Sequence, residues 1–174
     1  FTDAESLFHD ASDEDKLSTS FYFSYASACE RAGDLSKAET LFKKVLELDP
    51  DNHLAANYLG YMWAEQGEHL DRARTMIERA VKAEPNNAAF LDSLGWVYFR
   101  RGDADKAIEY IRRAIVAMDH DDAILRDHLG DAYLMKGDVK RAISEWRRAR
   151  RLDPKLEGVQ EKIEKHSKKL EKVG

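Results

Sequence analysis

The chain has 174 residues, a net charge of −5, and a composition that is 43% hydrophobic and 35% charged. That hydrophobic content is too high for a disordered chain, and no apolar run approaches the roughly 18 residues of a membrane-spanning helix. A single cysteine excludes an internal disulfide framework and any multi-cysteine metal site. The modest negative charge gives no whole-chain reason to expect nucleic-acid binding. These values predict one or two globular domains with a sizeable core.

Glycine and proline recur along the chain at a fixed interval, which indicates an internal repeat. One glycine series has a spacing of 35 residues and consists of Gly60, Gly95 and Gly130. A second series has spacings of 34, 35 and 35 residues and consists of Gly33, Gly67, Gly102 and Gly137. The prolines keep the same register at Pro50, Pro85 and Pro154, with Asp119 at the position between the last two. The period predicts a tandem array of similar units.

Each unit has the pattern of two helices joined by a turn. Residues 88–101 carry apolar residues at helical spacing, and Gly102 and Asp103 then form the turn. Residues 104–118 follow with an apolar stripe made of Ala107, Ile108, Ile111, Ala114 and Ile115. The small residues Gly95 and Ala107 let the two helices approach closely. The second helix ends where a proline cannot continue it, so the chain turns into the next unit.

This pattern resembles the tetratricopeptide repeat (TPR), whose 34-residue unit carries Trp, Leu-Gly and Tyr, then Gly, Ala, Phe, Ala and Pro. The resemblance implies an all-α, right-handed α-solenoid of helix-turn-helix units. Four complete units match, at residues 19–52, 53–87, 88–122 and 123–156. The first unit departs from the pattern, with Tyr25-Ala26 in place of Leu-Gly. The second and third units each hold one extra residue, expected in the turn Gly67–Leu70 and near Asp119–Asp122.

The two ends of the chain also follow the repeat. Ala4, Phe8 and Ala11 have the spacing of Ala38, Phe42 and Val45, so residues 1–18 are predicted to be the second half of a truncated repeat. We therefore expect the chain to begin inside a unit of a longer array. Residues 157–174 are predicted to form a capping helix that closes the last core layer. Its apolar face would carry Val159, Ile163, Leu170 and Val173, and its polar face Lys162, Lys165, Lys168, Lys169 and Lys172.

No catalytic or metal-binding pattern stands out in the sequence. A phosphate-binding Gly-x-x-x-x-Gly-Lys loop, a His-Glu-x-x-His pair and a Gly-x-Ser-x-Gly elbow are all missing. Asp119–Asp122 is interpreted as a solvated loop between units, because a hard-cation loop needs a longer ligand set. Cys29 falls on the core stripe and is interpreted as a buried structural thiol. We therefore expect no catalytic residues, no metal and no cofactor, and the protein is predicted not to be an enzyme.

The resemblance also implies a binding surface. In TPR proteins the first helices of the units line a concave groove, and the second, fifth, ninth, twelfth and thirteenth positions of each unit face it. The candidate partner-binding residues are then Phe23, Ser27, Asn57, Tyr61, Asp92, Trp96, Phe99, Arg100, Asp127, Asp131 and Met135. Tyr61 and Trp96 stand where the family usually has Asn or Asp, and they are interpreted as an apolar strip for a peptide or a partner helix. The alternative is that both pack as core beneath a neighbouring helix, as is expected for Trp63 and Trp146.

Asp92, Asp127 and Asp131 give the predicted groove an acidic character. The family's carboxylate clamp, which grips the C-terminal acid of a peptide, uses Lys, Arg and Asn at such positions. Only Asn57 fits that clamp, so a co-chaperone of chaperone tails is disfavoured. The expected ligand is an extended segment with apolar anchors and a basic group.

Charge is divided along the chain. Residues 1–15 hold six acidic residues and no basic one, whereas residues 136–172 hold 13 Lys or Arg against 7 Asp or Glu. The densest basic group consists of Arg147, Arg148, Arg150 and Arg151. Nucleic-acid binding is disfavoured because no aromatic residues are interleaved with these arginines. A solvated convex face is the preferred interpretation, and contact with a membrane surface or an acidic partner stays open.

Several segments of the third and fourth units are similar to the terminal repeats of bacterial TPR lipoproteins. They are Leu91–Tyr98, Asp127–Tyr133 and the residues around Trp146. Some relatives in that group act as adaptors for a periplasmic carboxyl-terminal processing protease. The resemblance implies a non-catalytic protein-interaction scaffold or adaptor. It favours the bacterial periplasm or outer membrane over the cytoplasm, although the sequence itself does not fix the compartment. The alternatives are a structural module that self-associates through its groove or N-terminal face, and an enzyme whose site lies upstream.

Overall fold

The computed structural model describes residues 18–171, with side chains as far as residue 168. The predicted half repeat at residues 1–18 lies outside this range apart from Ser18. The described part is all-α and contains no strand, which confirms the predicted fold class. Its helices are α1 (Thr19–Arg31), α2 (Leu35–Leu48), α3 (His53–Gln66), α4 (Leu70–Ala83), α5 (Ala88–Arg100), α6 (Ala104–Ala117), α7 (Ala123–Met135), α8 (Val139–Leu152) and α9 (Val159–Glu171).

The turn inside each unit has a repeated structure. In three units a glycine with φ between 82° and 86° precedes an aspartate that caps the second helix, the three aspartates being Asp34, Asp103 and Asp138. Each aspartate accepts a hydrogen bond from the backbone amide three residues later, which satisfies one of the free N–H groups of the helix. The second unit has Glu68 and His69 in place of the aspartate, and His69 adopts φ 47° without a side-chain cap. The extra residue is therefore in the predicted turn.

The third unit carries its extra residue in the loop that leads to the fourth. Five residues, 118–122, join α6 to α7, whereas four residues join α2 to α3 and α4 to α5. Asp121 accepts hydrogen bonds from Arg126 and Arg148, with nitrogen–oxygen distances of 2.6 Å in both cases. Asp122 caps α7 by accepting from the amides of Ile124 and Leu125. The loop is thus tied to both helices of the fourth unit, α7 and α8.

Glycine lets the two helices of a unit pack closely. A Cβ atom at Gly95 would lie 2.6 Å from Ile111 Cγ1 and 3.2 Å from the carbonyl oxygen of Ala107. A Cβ atom at Gly130 would lie 2.4 Å from the indole of Trp146. The distances to Ile111 Cγ1 and to the Trp146 indole are shorter than van der Waals contact, so a larger residue at either glycine would push the helices apart. The close approach predicted at Gly95 and Ala107 is confirmed.

The core runs between the paired helices along the length of the array. Trp63, Trp146 and Cys29 are all buried, as predicted. Each of these two indoles donates its N–H to a carboxylate, Trp63 to Glu39 at 3.0 Å and Trp146 to Asp131 at 3.1 Å. Buried indoles are stable in such sites because the N–H keeps a hydrogen bond.

The helices form two layers. The first helices of successive units contact one another, α3 with α5 and α5 with α7, whereas each second helix mainly contacts the first helices beside it. The first helices are therefore the inner, concave layer, and the second helices are the outer, convex layer. Helix α9 packs on α8 and buries Val159 and Ile163. It begins at Val159 because Gly158, with φ 74°, ends the preceding turn.

Candidate functional site: the concave groove

The groove positions form a column that runs across the inner helices. The fifth position of each unit lies one repeat from the next, and helix α9 continues the series because Lys162 follows Asp127 by 35 residues. The column therefore starts at Phe23 on α1 and ends at Lys162 on α9. Its two ends differ in how their polar groups are satisfied.

At the C-terminal end, Lys162 joins two carboxylates. Its ammonium group donates to Asp127 Oδ1 at 2.8 Å and Oδ2 at 2.9 Å, and to Asp131 Oδ2 at 2.8 Å. Asp131 also accepts the Trp146 N–H, so this group connects α7, α8 and α9. Lys162, expected on the polar face of the capping helix, is partly buried there and faces these two carboxylates of α7. The pattern of α9 alone does not show that Lys162 also occupies a place in the repeat column.

Burial and the neighbouring opposite charges shift the pKa values of Lys162 and Asp131 in opposite directions. Burial works against the charge on Lys162, but the two carboxylates outweigh it and raise the pKa of the ammonium group. Burial raises the pKa of Asp131, and the neighbouring Asp127 adds to that effect, against the lowering by Lys162 and by the Trp146 N–H. The shared lysine stabilises two carboxylates that would otherwise repel each other.

One unit closer to the N-terminus, Asp92 on α5 pairs with His128 on α7. The imidazole Nδ1 lies 3.0 Å from both carboxylate oxygens of Asp92, and the histidine is only 8% exposed. Burial opposes the charged imidazole, but the charge and hydrogen bond of Asp92, helped by Asp127 and Asp131, outweigh it and raise the pKa of His128. All three predicted groove aspartates thus have cationic or hydrogen-bonding partners inside the chain.

The aromatic strip lies deeper than an open binding surface. Trp96 is 9% exposed and stacks on His128, with ring centroids 4.3 Å apart, and on Phe99, with centroids 4.6 Å apart. Tyr61 is half-buried, and burial raises the pKa of its hydroxyl, with Glu65 and Asp92 adding to the effect. Unlike the two core indoles, the Trp96 N–H has no hydrogen-bond acceptor among the described residues.

At the N-terminal end, the inner helices hold further polar atoms without partners. Ser27 and Asn57 are each 7% exposed. The Ser27 hydroxyl and the Asn57 side-chain carbonyl have no hydrogen-bond partner in the part of the chain that the structure describes. Phe23 is half-buried and packs edge-to-face on Phe42 and Tyr58, with ring centroids 5.6 and 5.5 Å apart. This end therefore combines aromatic packing with unsatisfied polar groups.

The last two predicted residues have different surroundings. Arg100 donates from Nη1 to the carbonyl oxygen of Glu65 at 2.6 Å and ties α5 to the end of α3. Met135 is 40% exposed at the end of α7. The predicted set does not include two comparable side chains, Leu54 and Ile124, which are 47% and 52% exposed. Both occupy the second position of a unit, so the repeat register could have found them.

The described residues contain neither a metal-binding cluster nor a membrane-spanning helix. No group of three or more His, Cys, Asp or Glu side chains in residues 18–168 is arranged to hold a metal ion. Among the helices of the same range, none has the length and apolar content needed to cross a membrane.

Two family profiles match, at residues 19–62 and 64–123, and both are described as tetratricopeptide repeat. The chain belongs to the TPR family. TPR units bind protein partners, so the protein is an interaction scaffold. A search of curated proteins gave no match.

Solved structures share the TPR fold. TTC0263, a thermophilic TPR protein of Thermus thermophilus, superposes with a TM-score of 0.73 at 21% identity, over 92% of this chain and 87% of that chain. MamA from MSR-1 gives a TM-score of 0.69 at 20% identity, over 88% of this chain and 87% of that chain. The O-GlcNAc transferase of Thermobaculum terrenum gives 0.70 at 24% identity, over 80% of this chain and 27% of that chain. At these identities the likeness shows the fold alone.

Proposed function

We propose that the TPR scaffold binds a peptide or a partner helix in the N-terminal part of its concave groove, between α1 and α5. The observation that carries the proposal is the row of buried polar atoms on Ser27, Asn57 and Trp96. Each has no hydrogen-bond partner among the described residues. Buried polar groups without partners cost about 1–3 kcal/mol each, so they are rare unless something else completes them. These atoms are closed off from solvent in the free protein, so a ligand backbone, which offers both donors and acceptors, would complete them once neighbouring side chains move aside.

The chemistry of this part of the groove matches an amphipathic ligand. Phe23 and Tyr61 are half-buried and leave apolar surface for a ligand side chain, and Leu54 adds an exposed aliphatic group. The aspartates at the other end already have partners, so the ligand needs no basic group there. A ligand held by apolar anchors and backbone hydrogen bonds fits better than one recognised by charge.

The biological role that we infer is that of a non-catalytic adaptor in the bacterial envelope. The inference is supported by the similarity of residues 91–98 and 127–133 to the terminal repeats of bacterial TPR lipoproteins, some of which serve a carboxyl-terminal processing protease. An adaptor needs a rigid wall and no reactive groups, and the groove offers a packed helical wall. Self-association through the groove is the competing hypothesis.

Site-specific photo-crosslinking tests the groove assignment. A photoreactive amino acid at Leu54 should give one dominant adduct with a partner in bacterial envelope extracts. The same amino acid at Val116, which is 84% exposed on the convex helix α6, should not give that adduct. Equal adducts from both positions would contradict the groove assignment. An adduct of Leu54 with a second copy of this chain, together with a dimer in light scattering, would favour self-association instead.

Affinity measurements then test the polar row. Once the crosslinked segment is known, Ser27→Ala should weaken its binding by roughly three- to tenfold, which is the loss of one hydrogen bond. Ser24→Ala is the matched control, because Ser24 is exposed on the same helix. If the two variants bind equally well, the Ser27 hydroxyl has no part in recognition.

A further inference from the structure

The convex layer is strongly basic although the whole chain is acidic. Its four helices, α2, α4, α6 and α8, contain 16 Lys or Arg and 7 Asp or Glu. The four inner helices, α1, α3, α5 and α7, contain 3 basic and 5 acidic residues. The net charge of −5 therefore conceals a positive outer surface. Most cations of α2 and α4 have acidic partners, whereas Arg147, Arg150 and Arg151 at the C-terminal end of α8 have none among the described residues.

Three arginines of α8 line one surface cavity. Arg147, Arg150, Arg151 and Pro154 enclose a volume of about 330 Å³ at the junction between α8 and the loop to α9. Among the described residues, no carboxylate forms an ion pair with any of the three guanidinium groups. Arg148, on the neighbouring face, pairs with Asp121 at 2.6 Å and is not part of the cavity. Arg150 donates to the side-chain oxygen of Gln160 on α9, which orients its guanidinium group.

The basic residues of helix α8 are mostly arginine, and arginine binds anions differently from lysine. Helix α8 has five arginines and one lysine, whereas all four basic residues of α9 are lysines. Lysine is sufficient for a solvated surface, but the planar guanidinium group binds carboxylates and phosphates through two parallel hydrogen bonds. Three guanidinium groups around one cavity, without a carboxylate partner among residues 18–168, therefore favour recognition of an anionic group over solubility alone.

We propose that this cavity, called here the arginine cavity, is a second interaction surface that binds an acidic segment of a protein partner. The guanidinium groups supply the positive charge that an acidic segment would match, and Leu152, which follows Arg151 in the sequence, is 42% exposed. The cavity has no aromatic side chain on which a base could stack, which disfavours single-stranded nucleic acid. A cavity also suits a side-chain carboxylate better than the broad plane of a lipid surface. The surface lies on the layer opposite the groove, so both partners could bind together.

The test uses the whole chain and a fluorescein-labelled polyglutamate peptide, with binding followed by fluorescence anisotropy at physiological salt. The variant Arg147→Gln/Arg150→Gln/Arg151→Gln should bind the peptide at least about tenfold more weakly, since three charge-assisted hydrogen-bond donors are lost. The control Lys44→Gln/Lys82→Gln/Lys165→Gln removes the same charge from other helices and should change the affinity less than about twofold. All six side chains are half-buried or exposed, and circular dichroism should show unchanged helix content.

Each other outcome overturns the proposal. Equal weakening in both triple variants would show that only the overall charge attracts the peptide. If the wild-type chain does not bind the peptide but does bind vesicles with anionic lipids, or duplex DNA, in an arginine-dependent way, the partner class is wrong. If the chain binds neither the peptide, nor the vesicles, nor the duplex DNA, the arginine cavity does not recognise anions. The crosslinking test at Leu54 is independent of all these results.

Discussion

The two ends of the concave groove are built from the same repeat positions but treat polar groups in opposite ways. At the C-terminal end, Asp127 and Asp131 share Lys162, and Asp92 pairs with His128. At the N-terminal end, Ser27 and Asn57 keep buried polar atoms without partners among the described residues. The first arrangement stabilises the array and closes its last core layer. The second costs stability in the free protein, and under the proposed function a bound ligand completes these groups.

The indoles show the same contrast within a single residue type. Trp146 donates its N–H to Asp131 at 3.1 Å, whereas Trp96, one repeat before Asp131, has no acceptor in the described part of the chain. Both rings are buried, so the difference does not come from solvent access. Removing a polar group that has a partner at the C-terminal end should therefore lower the free energy of unfolding. Removing a polar group that has no partner at the N-terminal end should not.

The largest effect is expected for Lys162→Met. The substitution leaves Asp127 and Asp131 close together without their shared cation, and it should lower the free energy of unfolding by about 2–3 kcal/mol. Urea denaturation at neutral pH measures the change. Lys165→Met, on an exposed position of the same helix, should have almost no effect. If the two variants have the same midpoint, the lysine does not stabilise the C-terminal end.

A smaller effect is expected when the N–H of Trp146 is removed. Replacing this tryptophan by β-(3-benzothienyl)-alanine, in which sulfur stands for the N–H group, keeps the ring shape and deletes the bond to Asp131. The free energy of unfolding should fall by about 1 kcal/mol. Urea denaturation again gives the value, and an unchanged midpoint would mean that the hydrogen bond is not net stabilising.

The smallest effect is expected from His128, because burial offsets part of the gain from Asp92. Its pKa is raised in the folded state. The contribution of the pair to stability is therefore complete below the ordinary histidine pKa of about 6.5 and is lost as pH rises through the higher folded value. The difference in unfolding free energy between wild type and His128→Gln should accordingly shrink as pH increases. His53→Gln is the control, and a pH-independent difference for His128→Gln would contradict the assignment.

Much of the fold could be predicted because repeat spacing is a property of the sequence itself. The recurring glycines locate the turns. The intervals Gly67–Gly102 and Gly102–Gly137 are 35 residues, one longer than a 34-residue repeat, and they contain the two extra residues, at Glu68–His69 and in loop 118–122. Helix α9 is predicted too, although two residues early, because the positive φ of Gly158 cannot be read from the pattern.

The groove is harder to predict because its chemistry depends on contacts between units. The sequence assigns Trp96 to an open apolar strip, but its ring lies between His128 and Phe99. The pattern of its own helix assigns Lys162 to a polar face but does not show that its partners lie on α7. The repeat register points to that pairing, since Lys162 continues the column of Asp127. Whether a buried hydroxyl or indole N–H has a partner depends on side-chain geometry, which spacing does not encode.

In the proposed function, the N-terminal part of the groove is less stable in the free protein because it is built for ligand binding, and Trp96 is the residue at which both effects can be measured. We would replace this tryptophan by β-(3-benzothienyl)-alanine and measure both the free energy of unfolding and the affinity for the segment crosslinked at Leu54. We expect an unfolding free energy that is unchanged or higher, together with weaker binding. A loss of stability like that expected for Trp146, with unchanged binding, would contradict it.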